Sequence, residues 1–274
     1  MEIHFKCPVC EELLYGDKTL VCQNHHCFDT ARQRYVNLLR SNQSAKKRHG
    51  DDVLMVKART DFLDKGYYNC LLEGILAELD SHISGDSVIA DLGCGECWYT
   101  SNVYAHFHQK AENIRIYGID ISKTALIAGG KRCRDLKLAV GSIADLPIPN
   151  AVCDAVLSIF APYNAEEVWR ITKPGGIFLK VVPLERHMIE LKSVIYDKPY
   201  ENKVELEKLN GFRLIGQTRV EKTISLTAQE EIIHLFQMTP YYYKTGREDQ
   251  QKIRSLTSLE TTAQFLIETF EKSE

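Results

Sequence analysis

Apolar residues along this chain fall into short continuous runs and one longer helical pattern. Val88–Leu92, Ile114–Ile119 and Ala155–Ile159 are runs of strand length, each followed by a turn signal. Runs without polar alternation suit strands buried on both faces. KPGGIFLKVVP at 173–183 adds a turn and another strand, and GFRLIGQTRVEKTISL at 211–226 reads as a closing antiparallel pair. From about Val53 to Leu79 apolar positions recur at helical spacing with a break near Gly66, which predicts two helices. Residues 41–50 carry no such periodicity and read as a mobile loop. Strands alternating with helices predict an α/β fold around a parallel sheet.

The chemistry sits first in SVIADLGCGECWYT. A strand ends in Asp91-Leu92-Gly93-Cys94-Gly95, a helix follows, and the next strand delivers Asp120 at its end. Strand, glycine turn, helix, strand and terminal acid describe a Rossmann-like unit. The glycines let a ligand approach the backbone, and the terminal acid can hold both hydroxyls of a ribose. A dinucleotide fingerprint needs G-x-G-x-x-G, and the third glycine is missing here. The acid two positions before Gly93 gives D-x-G-x-G, which resembles motif I of class I methyltransferases that use S-adenosylmethionine. Asp91 also suits a ligand with a cationic methionine end. After Gly141 this fold usually carries an acid near the adenine; Ser142 stands there.

The first thirty residues concentrate thiol and imidazole. Cys7, Cys10, Cys22 and His26 form C-x2-C-x11-C-x3-H, close to structural zinc spacings. Each short gap lets one turn aim two ligands at one ion, and the intervening EELLYGDKTLV can form a hairpin bent at Gly16-Asp17. His25 and Cys27 are alternatives for the fourth ligand. A closed ligand set implies structural zinc, standing in for a core that thirty residues cannot bury.

Charge changes the picture in one place. Residues 30–59 hold Arg32, Arg34, Arg40, Lys46, Lys47, Arg48, Lys57 and Arg59 against Asp51 and Asp52, while the whole chain carries −3. Such segregation fits a phosphate-facing surface on an otherwise acidic protein. The chain has 44% hydrophobic and 26% charged residues, ordinary for a globular protein. No run of about 18 apolar residues predicts a membrane span. An N-terminus without a leader-like pattern, with nine cysteines, is expected of a reducing cytoplasm.

Together these features resemble the bacterial 23S ribosomal RNA guanine-N1 methyltransferases, the family that includes tylosin-resistance enzymes. CPVC, CQNHHCFD, YVNLL, FLDKGYY, DLGCGE, KPGG, RHMIELK and QMTP carry the resemblance in this order over nearly the whole length. Family members usually have glycine where Arg34 and Cys97 stand. The resemblance implies Cys7, Cys10, Cys22 and His26 as zinc ligands, and Tyr68, Gly95, Glu96 and His187 as cofactor contacts. It also implies a 23S rRNA hairpin as substrate and is compatible with a homodimer, as family members form dimers; no membrane association is expected.

The expected fold is therefore a class I, Rossmann-like S-adenosylmethionine-dependent methyltransferase core with a small N-terminal zinc-binding domain. The expected divisions are 1–35 for zinc, 36–80 for a basic linker with helices, and 81–274 for the core. Tyr68, Asp91, Gly93, Gly95, Glu96, Asp120 and His187 are the expected cofactor residues. No residue identifies itself as the proton acceptor; FAPYN at 160–164, with Tyr163, is expected to orient the guanine. The competing readings are a small-molecule methyltransferase with a zinc staple and a non-catalytic RNA-binding protein of the same fold.

Overall fold

The run Ser87–Leu92 is buried at every position, as a strand covered on both faces must be. It is the centre of the sheet in the computed structural model, which describes residues 2–40, 50–205 and 207–273. The expected loop and the Lys46, Lys47 and Arg48 cluster lie at 41–49, outside the described residues.

In chain order, β1 (Thr19–Val21) and β2 (Cys27–Asp29) pair antiparallel and precede β3 (Tyr35–Asn37). Helices α1 (Val53–Asp64) and α2 (Asn69–His82) follow, separated at Gly66, whose φ of 77° only glycine adopts readily. The core alternates β4 (Ser87–Leu92), α3 (Trp98–Gln109), β5 (Ile114–Asp120), α4 (Lys123–Arg132), β6 (Lys137–Val140), β7 (Cys153–Ile159), α5 (Ala165–Ile171) and β8 (Thr172–Pro183). It closes through α6 (Ile189–Ile195), β9 (Phe212–Leu226), α7 (Gln229–Gln237), α8 (Tyr241–Lys244), α9 (Arg247–Arg254) and β10 (Leu259–Lys272).

The main sheet runs β3-β6-β5-β4-β7-β8-β10-β9. Its strands are parallel except β10, which is antiparallel to both β8 and β9. Residues 211–226, expected to hold an antiparallel pair, form one strand of 15 residues instead. Its partner is β10, from which it is separated by three helices. Gly216 lies opposite Thr269, and the register shifts between Thr269 and Phe270, so the strand has an irregularity there and does not turn.

The N-terminal segment is joined to the sheet rather than set apart from it. β3 adds parallel to β6, with Tyr35 opposite Leu138 and Asn37 opposite Val140. The Lys6 N–H donates to Pro147 O at 2.9 Å, and Tyr117 Oη donates to His4 O at 2.7 Å. Phe5, Leu14 and Cys7 share one apolar cluster with Val88, Tyr117 and Leu146. The short unit thus borrows core from the sheet. Within it, the expected bend at Gly16 is present, with φ 120° and Tyr15 bridging Val21.

Because β4 feeds β5 on one side and neighbours β7 on the other, strand order reverses at its carboxyl end. Ligand crevices form at such switch points.

Candidate active site and metal centre

A cavity of about 860 Å³ opens at that switch point. Its floor is the turn between β4 and α3. Gly93 (φ 74°), Gly95 (φ 56°) and Cys97 (φ 62°) are all left-handed there, so the backbone doubles back over a very short span. A Cβ on Gly93 would stand 2.4 Å from Ala161 Cβ, so no larger residue fits. Cys97 stands where the resemblance leads to an expectation of glycine, and its left-handed φ costs an L-residue about 1–2 kcal/mol. Its thiol is accommodated by Gly129, where an added Cβ would lie 2.4 Å from Cys97 Sγ. Arg34, the other departure, is likewise left-handed at φ 65°.

Asp120 ties the turn to the end of β5. It accepts the Gly95 N–H at 2.9 Å and the Ser122 N–H at 2.7 Å. Burial raises its carboxyl, and those two donors pull it back. Glu96 lines the cavity 2% exposed, raised by burial and drawn down by Arg59, and its Oε1 is buried with no hydrogen-bond partner. A buried acceptor in that condition calls for a donor from a ligand. Tyr99 Oη in the same cavity is a second such atom.

Tyr68 and His187 come together on the cavity wall from sites 119 residues apart in sequence. The Gln264 N–H donates to His187 Nδ1 at 3.2 Å, which leaves the proton on Nε2, 3.5 Å from Tyr68 Oη. Burial, with Lys192 nearby, lowers the His187 pKa to about 3. The imidazole is neutral with both nitrogens engaged, so it is no proton acceptor at neutral pH.

Asp91 does not line the cavity. It is buried beneath the turn, where Thr100 Oγ1 donates to Asp91 Oδ2 at 2.5 Å. Burial pushes its pKa up to about 7 against the Thr100 hydrogen bond, with Asp120 and Glu96 adding to the rise. Its place is a brace between β4 and α3. Ser142 lines the cavity, but its Oγ accepts the Ala144 N–H at 3.2 Å.

Arg59 was legible only as one of a basic series. Its guanidinium lies half-buried at the cavity, ion-paired with Asp51; desolvation lowers its pKa, but Asp51, Glu96 and Asp120 raise it by more. The Cβ position of Gly95 is 3.4 Å from Arg59 Nη1. Tyr163, expected to face the substrate, points elsewhere: its ring lies 5.0 Å from Phe178 and its hydroxyl bonds Glu207. Phe160, Ala161 and Pro162 of the same loop do line the cavity.

The donor set fits the cofactor that motif I implies: a glycine cradle, an acid at the end of β5, and buried polar atoms awaiting partners. Bound S-adenosylmethionine supplies an activated methyl group on a sulfonium.

The metal-type cluster is separate. The ligand atoms of Cys7, Cys10, Cys22 and His26 lie within 4.8 Å of one another. Cys7 Sγ and His26 Nδ1 are 3.7 Å apart, Cys10 and Cys22 Sγ 3.6 Å, and Cys22 Sγ and His26 Nδ1 3.4 Å. Ligands around a tetrahedral ion with bonds near 2.3 Å are separated by roughly 3.8 Å, so the set fits zinc. His25 (φ 61°) turns the chain to bring His26 inward and is itself exposed. Cys27 Sγ is also exposed and bonds His25 O at 3.3 Å. Neither alternative ligand joins the cluster.

Comparisons with known proteins agree with this geometry. Residues 5–47 match a zinc-ribbon family described as RlmA, N-terminal, and residues 90–179 match a methyltransferase domain. YxjB of Bacillus subtilis, a proposed 23S rRNA (guanine-N(1)-)-methyltransferase, is 30% identical over 268 residues, covering 94% of this chain and 93% of that protein. The 23S rRNA (guanine(748)-N(1))-methyltransferase of Streptomyces fradiae is 32% identical, covering 81% of this chain and 80% of its own. Among solved structures, the proposed methyltransferase complexed with the Haloferax volcanii activator Trm112 has TM-score 0.54 at 18% identity, covering 84% of this chain and 100% of its own, a likeness of fold. A zinc ribbon packed against a class I methyltransferase core, with these relatives along most of the chain's length, means that the chain belongs to the 23S rRNA (guanine-N1)-methyltransferase family.

Proposed function

We propose that this protein transfers a methyl group from S-adenosylmethionine to N1 of a guanine in a hairpin of 23S rRNA. The observation that carries the reading is the co-occurrence in one chain of the glycine cradle, with the unpartnered Glu96 Oε1 beside it, and the Cys7, Cys10, Cys22, His26 cluster, whose segment adds β3 to the main sheet.

Tyr68, Gly93, Gly95, Glu96, Asp120 and His187 hold the donor in this reading, with Asp91 bracing the turn from below. Asp120 accepts from the ribose, and Glu96 accepts from the cationic end of the methionine portion. Tyr68, receiving the His187 Nε2–H, is left with its own hydroxyl proton to offer a ligand. The sulfonium methyl is already activated, so alignment and exclusion of water are the principal tasks of the protein. The Cys7, Cys10, Cys22 and His26 set holds a structural zinc. That unit and the basic segment at 30–59, apart from Arg59 at the cavity, bind RNA, and the core carries the chemistry.

Guanine N1 lies on the pairing edge and carries a proton in the neutral base. The substrate must therefore be unpaired or turned out of its helix, as a hairpin loop allows. A cytoplasmic enzyme working as a homodimer completes the reading; no described helix is long and apolar enough to cross a membrane. Primer extension on 23S rRNA from cells lacking the protein tests the assignment, because methylated N1 blocks pairing. Loss of one reverse-transcriptase stop is expected, and an unchanged stop pattern would contradict it.

A further inference from the structure

The cavity continues past the donor turn to the carboxyl ends of β7 and β8, where Phe160, Ala161, Pro162 and Pro183 line it. Phe160 stands out there. It is a bulky residue held at φ 56°, a region that favours glycine. Three contacts hold the loop in place. The Phe160 N–H donates to Val181 O at 3.1 Å, Ser158 Oγ donates to Ala161 O at 2.9 Å, and the Phe160 ring lies 5.4 Å from Phe265. Despite this bracing, Phe160 is 44% exposed, whereas Phe265 beneath it is fully buried. Backbone strain that leaves an aromatic face open to a cavity marks a functional position rather than a packing one.

The same loop rests directly on the donor turn. The missing Cβ of Gly93 is what lets Ala161 approach, at 2.4 Å from where that Cβ would be. The ends of β7 and β8 are therefore contiguous with the site assigned above to the methyl donor.

We propose that the exposed face of Phe160 is the platform on which the target guanine stacks after leaving its RNA helix, making the β7–β8 end of the cavity the base site. This placement rests on the methyltransferase reading and deepens it. Enzymes that act on an extruded base hold it by stacking on aromatic or apolar side chains. Met238 and Tyr241 also line this cavity, giving the base further apolar surface. Tyr163, the other aromatic of the loop, is taken up by Phe178 and Glu207. Contact between the loop and Gly93 brings the stacked base beside the turn that cradles the donor, as transfer between them needs.

Phe160→Gly is the informative variant, because glycine accepts this φ without strain and the fold is not threatened by the change. Phe160→Tyr keeps the ring. Single-turnover methyl transfer to an unmodified 23S rRNA transcript is measured together with the affinity for S-adenosylhomocysteine. Phe160→Gly should slow transfer roughly 5- to 150-fold, the span of base–aromatic stacking, with the nucleoside affinity unchanged. Phe160→Tyr should recover most of the rate that Phe160→Gly loses. A wild-type rate in Phe160→Gly would overturn the placement, and so would nucleoside affinity falling in step with the rate. Wild-type protein that transfers nothing to the transcript would overturn the reading beneath it, and the placement with it.

Discussion

The Gly95 N–H donates to Asp120 Oδ2 at 2.9 Å, which ties the glycine turn to the end of β5. Asp120→Ala removes this contact together with the one to the Ser122 N–H. Each charge-assisted hydrogen bond contributes about 1.5–3 kcal/mol. Affinity for S-adenosylmethionine, measured by isothermal titration, should fall at least about tenfold by the same scale. Circular dichroism should show the fold retained. Unaltered affinity would remove Asp120 from the donor site.

Asp91 makes a prediction in pH. Its folded pKa is about 7 against an ordinary 3.8, with burial as the main cause. Between those values the folded protein holds a proton that the unfolded chain has lost. Stability contributed by this group is complete below about pH 4 and is lost as pH rises through about 7. Asp91→Asn keeps an acceptor for Thr100 without the ionisation. Its stability relative to wild type, followed by urea denaturation, should therefore rise by a few kcal/mol from pH 4 to 7 and level off above. A difference that falls across this window would show that Asp91 is ionised and stabilised in the fold.

Metal removal should act locally and then spread along the sheet. Cys22 and His26 close the cluster, while β3 carries the same segment onto β6. Chelation, or Cys22→Ser, should raise amide exchange from Thr19 to Asn37, because small zinc units lose their folded state without the ion. Exchange in β4 and β5 should change little, since their backbones pair with each other and with β6 and β7 rather than with the zinc segment. Protection of 19–37 that survives metal removal would mean that borrowed core alone folds the unit.

Much of the core fold was legible because strands buried on both faces leave unbroken apolar runs, as β4 does. The turn at Gly93–Gly95 and the acid at Asp120 were legible because their chemistry is local. Burial was not. Asp91 looked like a ligand contact on spacing alone, yet Thr100 and the helix above it enclose its carboxylate. Tyr68 and His187 meet only through tertiary packing on Phe265, which no local pattern encodes. The partner of β9 was missed for the same reason, since β10 lies beyond three helices. Left-handed φ at Phe160 gave no sequence signal at all, because phenylalanine rarely marks such a position.

The account is tested most directly by incubating the zinc-loaded protein with unmodified 23S rRNA transcript and isotopically labelled S-adenosylmethionine, then digesting the RNA to nucleosides for mass spectrometry. One labelled 1-methylguanosine per transcript is the predicted product. Label that appears in another nucleoside, or in none while the protein binds the donor, would contradict it.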